Sequence, residues 1–244
     1  MRILITNDDG IESPALPRLI EWAKKLGEVV AVAPKVEQSA KSHAIDFTRP
    51  LNVEPVALVE GARAYSVDST PADCVRVALL GLREKFDLVI SGINRGFNMG
   101  KDIMYSGTVS AVCEAAHYQI PALALSTDPD CFDGAFAYLD RVWTYLEERK
   151  LFERHGLYNV NIPMDAKGIR LTHQGGVYFE DAFYPMEGTL YRIDGAINPT
   201  AHQYPDDPTS DINAIYEGYV SVTPLVTERT AWQVFEELKE LKER

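Results

Sequence analysis

The sequence predicts an α/β protein in which a mostly parallel sheet is covered by helices on both faces. Two patterns carry this prediction: short apolar runs alternate with helical stretches through the first 150 residues, and polar turns follow the ends of the apolar runs. The size agrees, because 244 residues with 46% hydrophobic and 25% charged side chains are typical of a globular chain with a sizeable core.

The first 33 residues contain a strand–helix–strand unit. The run RILIT at residues 2–6 ends in the polar turn Asn7-Asp8-Asp9-Gly10, which is typical of a buried strand followed by a loop. From Pro14 to Leu26 apolar residues recur at helical spacing, and Gly27 stands at the cap position. The run VVAVA at residues 29–33 then predicts a second strand.

The same alternation continues to about residue 150. A hydroxyl cap followed by proline predicts a helix over 71–85, and the next elements are a strand at 87–91, a helix at 107–118, a strand at 121–126 and a helix at 136–146. Strands separated by helices favour parallel pairing. We therefore expect residues 1–150 to form a Rossmann-like, doubly wound, mostly parallel core.

The pattern changes after residue 150. Short strand-like pieces occur at 158–162, 169–172, 177–179, 190–193 and 219–222, a polar stretch at 195–213 reads as a loop or extended arm, and a final helix is predicted over 227–242. We expect residues 151–244 to form a β-rich hairpin or arm segment with a C-terminal helix, not an independent domain.

Charge and composition exclude several partners. A formal net charge of −12 argues against a broad surface for duplex nucleic acid or an anionic membrane. No apolar run reaches the ~18 residues that span a bilayer, and the start MRILITNDDG does not have the form of a signal peptide. Cys74, Cys113 and Cys131 are an odd number of cysteines without CxxC spacing, which favours a reducing, cytoplasmic setting.

Adjacent acids after the first strand predict a metal site. Asp8 and Asp9 follow that strand, Ser39 lies in the loop after the second strand, and Asn94 follows the strand at 87–91. The carboxyl ends of parallel strands meet at one edge of a sheet, so these side chains should converge. Their oxygen atoms suit Mg²⁺ or Mn²⁺, and a cation would offset the repulsion between the acids. The alternative is that Asp8 caps the turn and Asp9 is solvated.

A second polar cluster opens the third predicted helix. Backbone N–H groups at a helix start bind phosphate, and Ser106 and Thr108 add hydroxyl donors on either side of Gly107. The preceding loop NRGFNMG contains Asn98 and could close over an anion, while His43, after the second strand, is a candidate substrate contact. No Walker or GxGxxG motif is present at these positions. An ordinary hydroxyl cap is the alternative for the helix start.

Long stretches of the chain resemble the SurE (survival protein E) family of nucleotidases. They are ILITNDDGIESPAL, VVAVAPKVEQSAKSHAI, TPADCV, DLVISGINRGFNMGKDIMYSGTVSAVCEAA, IPALALS and DINAIYEGYVSVTPL. These motifs cover most of residues 1–126 and the segment 211–225, whereas residues 127–210 match least well. Ser69, His173-Gln174 and Ser210 depart from the residues that are usual in the family.

The resemblance implies a metal-dependent phosphatase of nucleoside 5′-monophosphates, with 3′-monophosphates and short polyphosphate as further substrates. It places one divalent ion per subunit, Mg²⁺ or Mn²⁺, on Asp8, Asp9, Ser39 and Asn94. The family's phosphate-binding segment falls on Ser106, Gly107 and Thr108, with Asn98 alongside. Family members look like dimers or tetramers that exchange C-terminal arms, so we expect a homodimer or homotetramer built through the arm segment and terminal helix.

Metal-assisted hydrolysis of a phosphomonoester is the mechanism that these residues predict. Asp8 or Asp9 would orient or deprotonate the attacking water, and a cation would bind a phosphoryl oxygen. A haloacid-dehalogenase-like phosphatase is disfavoured because its site needs Asp-x-Asp, and here the acids are adjacent. The alternative from another class is a non-catalytic, Mg²⁺-dependent nucleotide-sensing or receiver-like module, which would bind metal and AMP without turnover.

Overall fold

A nine-stranded, mostly parallel sheet forms the centre of the molecule, in a computed structural model that describes residues 1–129, 132–198 and 207–239. The strands are β1 (Arg2–Thr6), β2 (Glu28–Pro34), β3 (Val53–Val56), β4 (Arg63–Val67), β5 (Leu88–Arg95), β6 (Ala122–Thr127), β7 (Leu157–Ile162), β8 (Ile169–Leu171), β9 (Phe179–Pro185), β10 (Tyr191–Ile197) and β11 (Val220–Pro224). The order across the sheet is β3-β4-β2-β1-β5-β6-β7-β11-β8, and β9 and β10 form a separate antiparallel hairpin.

Helices cover both faces of this sheet. The helices of the described part are α1 (Ala15–Ala23), α2 (Pro71–Arg76), α3 (Gly107–His117), α4 (Phe132–Glu148), α5 (Leu151–Arg154), α6 (Asp211–Tyr216) and α7 (Trp232–Leu238), of which α7 buries none of its residues. Because side chains alternate along a strand, Ile3 and Ile5 of β1 lie in the core layer that includes α1 and α4, whereas Leu4 lies in the layer that includes α2 and α3. The predicted α/β class is confirmed.

Several predicted elements differ in extent from the observed ones. The helix predicted over 71–85 ends as α2 at Arg76 and continues as a π-helical turn over Val77–Gly81. The polar stretch 195–213, predicted as a loop or arm, contains the end of β10 and the start of α6, because Asp211 supplies an acid in the first turn of that helix. The final helix begins at Trp232 rather than 227, and residues 199–206 and 240–244 lie outside the described part.

Strands from both halves of the chain share the main sheet. β7 pairs in parallel with β6, and β11 pairs antiparallel with β7 and parallel with β8. The division into a core of residues 1–150 and a segment of 151–244 stays a prediction. Within the described ranges, no helix combines the length and apolarity that crossing a bilayer would require.

The carboxyl ends of β1 and β5 bring the candidate site together. The two strands pair in parallel, with Thr6 opposite Ser91, so the loops that follow them start side by side. A bulge between Ser91 and Asn94 shifts the register of β5 against β6. Gly92 makes this bulge possible, because its φ is +132° and a Cβ there would collide with the Leu125 carbonyl oxygen.

Candidate active site

Asp8 follows β1 and is buried against the start of α3. The Thr108 backbone N–H donates to Asp8 Oδ2 at 3.0 Å, and the Thr108 hydroxyl donates to Asp8 Oδ1. Burial raises the pKa of the Asp8 carboxyl, although these hydrogen bonds oppose the shift. Two residues that are 100 positions apart in the sequence thus meet at one carboxylate.

Gly107 allows α3 to approach Asp8 this closely. A Cβ at Gly107 would lie 2.8 Å from Asp8 Cβ, 3.0 Å from Asp8 Oδ2 and 3.1 Å from Pro71 Cγ. Any side chain here would therefore displace either the helix start or the carboxylate.

Asp9 lies next to Asp8 and is partly exposed. The Arg95 backbone N–H approaches Asp9 Oδ2 at 3.4 Å. Burial, together with the negative charges of Asp8 and Glu37, raises the pKa of Asp9 to about 6. The charge of Asp8 therefore disfavours the charged form of Asp9, and a divalent cation between the two would offset that cost.

Ser39 reaches the neighbourhood of the acids through the loop after β2. The Gln38 backbone N–H donates to the Asp8 carbonyl oxygen at 2.7 Å, which anchors this loop beside the end of β1. The Ser39 hydroxyl itself donates to Glu37 Oε1 at 2.5 Å. As a metal ligand, Ser39 stays a prediction.

Asn94 lies at the end of β5, one residue before the backbone N–H that approaches Asp9. Its amide nitrogen donates to the Gly96 carbonyl at 2.7 Å, and its side-chain carbonyl oxygen takes no part in that bond. The fixed amide therefore keeps an acceptor that could bind a cation.

The chemistry of these donors fits Mg²⁺ or Mn²⁺. Two carboxylates, a hydroxyl and an amide oxygen are hard ligands, and Mg²⁺ commonly uses one or two carboxylates and keeps several waters. Among residues 1–129, 132–198 and 207–239, no group of three His, Cys, Asp or Glu side chains is arranged to hold a metal. The predicted metal ligands are two acids, Asp8 and Asp9, and two neutral groups, Ser39 and Asn94.

Ser106 and Thr108 use their hydroxyls differently at the start of α3. Ser106 Oγ accepts the Val109 backbone N–H at 3.1 Å, which caps the helix. That bond does not use the Ser106 hydroxyl hydrogen, so Ser106 can still donate to a bound anion. Thr108 instead directs both its N–H and its hydroxyl at Asp8. The predicted contacts of both residues with phosphate stay predictions.

Asn98 is held by β6 and β7. Its side-chain amide donates to Ser126 Oγ at 2.9 Å, and its backbone contacts the side chains of Asn159 and Asn161. The sequence prediction missed these three residues. The signal that could have found them is the polar residues towards the carboxyl ends of the strand-like runs ALALS and YNVNI.

His43 contacts the middle of α3 instead of its start. His43 Nε2 lies 2.7 Å from Glu114 Oε2, and Arg76 Nη1 lies 3.5 Å from Glu114 Oε1. Burial raises the pKa of Glu114, but the hydrogen bond from His43 and the charges of His43 and Arg76 outweigh it and hold that pKa below its ordinary value. Glu114 lies almost two turns beyond Thr108. The predicted contact of His43 with substrate stays a prediction.

Comparisons with known proteins agree on one family. Residues 3–181 match the family model described as survival protein SurE. A protein named 5′-nucleotidase SurE from Caldanaerobacter subterraneus subsp. tengcongensis is 39% identical over 255 residues, covering 98% of this chain and 97% of that protein. Another of the same name from Thermoanaerobacter sp. is 38% identical over 248 residues, covering 96% of this chain and 95% of that protein.

A solved structure is similar to the whole fold. The crystal structure of SurE protein from Aquifex aeolicus superimposes with a TM-score of 0.79 at 34% identity, and the match covers 98% of both chains. The family model and these relatives span the segments that carry the twin acids and the start of α3. The chain therefore belongs to the SurE family.

Proposed function

We propose that the chain is a metal-dependent 5′-nucleotidase that hydrolyses nucleoside 5′-monophosphates to nucleoside and phosphate. The observation that carries the proposal is the contact between Asp8 and Thr108, because it joins the twin acids to the hydroxyl-rich start of α3. Metal-binding and phosphate-binding groups would then lie side by side. Relatives that are 39% and 38% identical carry the name 5′-nucleotidase SurE, which supports the activity.

We assign one Mg²⁺ or Mn²⁺ per subunit to four oxygen ligands, from Asp8, Asp9, Ser39 and Asn94. A divalent cation supplies a Lewis acid for a phosphoryl oxygen and lowers the pKa of a nearby water. Burial and the charge of Asp8 raise the pKa of Asp9 to about 6, so Asp9 is mostly ionised at neutral pH, and a cation facing it would lower that pKa.

The chain's own residues have separate roles in the reaction. Thr108 fixes the Asp8 carboxylate in one orientation. Asp9, which is less restrained, orients the attacking water and accepts its proton. The Ser106 hydroxyl and the second hydrogen of the Asn98 amide donate to the phosphoryl oxygens, where negative charge grows in the transition state.

Phosphate release from AMP tests this proposal. The wild-type protein should release phosphate with Mn²⁺ or Mg²⁺, and EDTA should abolish the release. Asp8→Asn and Asp9→Asn should each lower kcat/KM by at least about 10³-fold, since each removes a charged ligand. Asp133→Asn removes an acid that is exposed on α4 and should stay within about twofold.

Two outcomes would count against the proposal. Full activity in both Asp8→Asn and Asp9→Asn would refute the assignment of the site. Metal-dependent binding of AMP without turnover in the wild type would favour a nucleotide-sensing module instead.

Nucleoside 3′-monophosphates and short polyphosphate are further proposed substrates. The residues assigned above all act on the metal or the phosphoryl group, so the chemistry does not require the ester to be at the 5′ position. A panel of 5′-AMP, 3′-AMP and tripolyphosphate with each metal ranks these substrates.

We also propose a cytoplasmic homodimer or homotetramer that exchanges C-terminal arms. The β9–β10 hairpin exposes apolar side chains on both strands, with Phe183 62%, Tyr191 65% and Ile193 63% exposed. A lone two-stranded hairpin is marginal in water, so contact with a second copy would stabilise it. Cys74 and Cys113 are free thiols, which agrees with a reducing location.

A further inference from the structure

Two asparagines of β7, Asn159 and Asn161, bind the backbone of Asn98 in the loop that follows β5. Asn161 contacts it with both ends of its amide: its Oδ1 accepts the Asn98 backbone N–H at 2.8 Å, and its Nδ2 donates to the Asn98 carbonyl at 2.8 Å. Asn159 Nδ2 donates to the same carbonyl at 2.8 Å. Three side-chain hydrogen bonds thus fix the peptide groups on both sides of one residue.

These asparagines occupy positions where a sheet normally buries apolar side chains. Both are 0% exposed, and residues 159 and 161 point to the same face of β7. On the opposite face, Tyr158, Val160 and Ile162 belong to the main hydrophobic core. Burying an amide is costly unless its hydrogen bonds are made. Apolar side chains would fill these positions but would leave the Asn98 N–H and carbonyl without these partners, so packing alone does not explain the pair.

Asn159 adds a second observation. Its Oδ1 is buried and has no hydrogen-bond partner within residues 1–129, 132–198 and 207–239. An unsatisfied buried acceptor costs about 1–3 kcal/mol. The strand therefore keeps an amide at this position although only its Nδ2, which binds the Asn98 carbonyl, is matched. The hydrogen bond from Asn159 therefore stabilises the loop that contains Asn98, and not β7 itself.

The rest of the loop is anchored at its two ends. The Gly96 N–H donates to the Thr127 carbonyl at 2.9 Å, and the Gly100 N–H donates to Asp211 Oδ2 at 2.9 Å. The asparagine pair holds the middle of the loop. Because the Asn98 side chain already donates one amide hydrogen to Ser126 Oγ at 2.9 Å, a fixed backbone leaves its second amide hydrogen in one direction.

We propose that Asn161, assisted by Asn159, is a positioning residue for substrate binding: it orients Asn98 so that the Asn98 amide meets the phosphoryl group. This inference rests on the proposed function, which assigns Asn98 to the substrate. Preorganised donors bind a developing charge better than mobile ones. Loss of the hydrogen bonds from Asn161 and Asn159 to Asn98 should therefore weaken substrate binding without removing a metal ligand.

Steady-state kinetics with AMP and saturating Mn²⁺ test the inference. Asn161→Leu removes both bonds to Asn98 at similar volume and should raise KM about tenfold, and Asn159→Leu should have a smaller effect because it removes one bond. Affinity for Mn²⁺, measured by calorimetry, should stay within about twofold of the wild type, since no metal ligand changes.

The matched control is Thr223→Val. Thr223 is buried on β11 directly opposite Asn159 and bonds to Thr172 Oγ1 at 2.7 Å, so its loss also removes a buried hydrogen bond from this face of the sheet. Thr223→Val should lower Tm but leave KM within about twofold. If Asn161→Leu fails to fold, Asn161→Ser keeps a polar group in the strand and should show the same rise in KM.

A double-mutant cycle with Asn98→Ala separates positioning from general damage. If Asn161 acts through Asn98, then Asn161→Leu should change KM by less than about twofold when Asn98 is already alanine. The inference is overturned if the two effects multiply, or if Asn161→Leu changes KM no more than Thr223→Val.

Failure of the proposed function would look different, because the wild type would then release no phosphate. In that case the affinity for AMP, measured by calorimetry in the presence of Mn²⁺, replaces KM in the same set of variants.

Discussion

Thr108 donates to both carboxylate oxygens of Asp8, whereas Asp9 receives one hydrogen bond at 3.4 Å from the Arg95 backbone. Neighbouring acids in the sequence therefore differ in freedom: one is fixed and buried, and the other is partly exposed. Asp8 is suited to fix the position of a cation. Asp9, besides binding the cation, is suited to orient a water and accept its proton. At the scale of single residues, the helix start decides this division.

Replacement of Gly107 tests the close approach. Gly107→Ala places a Cβ 2.8 Å from Asp8 Cβ, so Asp8 or the helix must move. We expect a loss of about 1–3 kcal/mol in stability from overpacking and a fall in kcat/KM of at least about tenfold, measured by thermal unfolding and phosphate release. The control is Gly156→Ala, where a Cβ meets no atom within 4 Å. Equal activity in the two variants would contradict the account.

Replacement of Ser106 tests the phosphate contact. Ser106→Ala removes the cap on the Val109 N–H and costs about 1 kcal/mol in helix stability. Thr70→Ala removes the equivalent cap on α2, where Thr70 Oγ1 accepts the Asp73 N–H at 3.2 Å. Both variants should lower Tm, but only Ser106→Ala should raise KM for AMP. A similar KM in both would reduce Ser106 to a structural cap.

At the scale of elements, Glu114 links α3 to its surroundings. Its carboxylate contacts Arg76 of α2 at 3.5 Å and His43 of the loop after β2 at 2.7 Å. The same loop also binds the segment just before α3, because the Ser42 N–H donates to the Tyr105 carbonyl at 3.0 Å. These contacts tie the loop after β2 and helix α2 to α3, whose first turn contacts Asp8.

The pH dependence of Glu114→Gln tests this link. The pKa of Glu114 lies below its ordinary value of 4.5, so the ionised side chain stabilises the fold above pH 4.5 and this contribution is lost as the pH falls through the folded-state value. At pH 7, Glu114→Gln should cost about 1 kcal/mol, or about 2–4 °C in Tm. The difference from wild type should shrink as the pH falls below 4.5.

Glu153→Gln is the control for that measurement. Glu153 pairs with Lys150 on the surface at 3.5 Å, and its loss should change Tm by less than about 1 °C. A Tm gap for Glu114→Gln that is the same at pH 7 and at the lowest pH where the protein folds would contradict the assigned charge interaction.

The strands with continuous apolar runs could be predicted from the sequence, whereas β3 and β4 could not. β1, β2 and β6 are buried on both faces, so their composition alone marks them. β3 is an edge strand that contains Pro55 and exposes Glu54, and neither residue is typical of a strand interior. β4 contains the exposed Arg63 and the half-buried Tyr65, so it has no continuous apolar run. β3 pairs with β4 and β4 pairs with β2, and this pairing supplies stability that no local sequence pattern shows.

The candidate site could be predicted in outline only. The rule that ligands bind beyond the carboxyl ends of parallel strands places Asp8 near Asn94 without any structure. The rule could not show that Thr108 fixes Asp8, or that His43 forms a hydrogen bond with Glu114, because both contacts depend on packing between distant segments. The roles of Asn159 and Asn161 are hidden for the same reason.

At the scale of the whole molecule, the β9–β10 hairpin is an apolar feature that a single copy leaves exposed. Ile193 and Phe183 lie opposite each other in its register, and both are largely exposed. Light scattering should show a dimer or tetramer for the wild type and a smaller species for Ile193→Asp, because a buried charge disfavours an apolar interface. Glu180→Gln on the same hairpin should keep the wild-type mass. A wild-type monomer would contradict the proposed assembly.

The most direct measurement is anomalous diffraction from crystals soaked in Mn²⁺. The account predicts one peak per subunit within coordination distance of oxygen atoms from Asp8, Asp9, Ser39 and Asn94. The peak should vanish in Asp9→Asn crystals. Wild-type crystals with no peak at this edge of the sheet, and with the two carboxylates turned apart into solvent, would contradict the account.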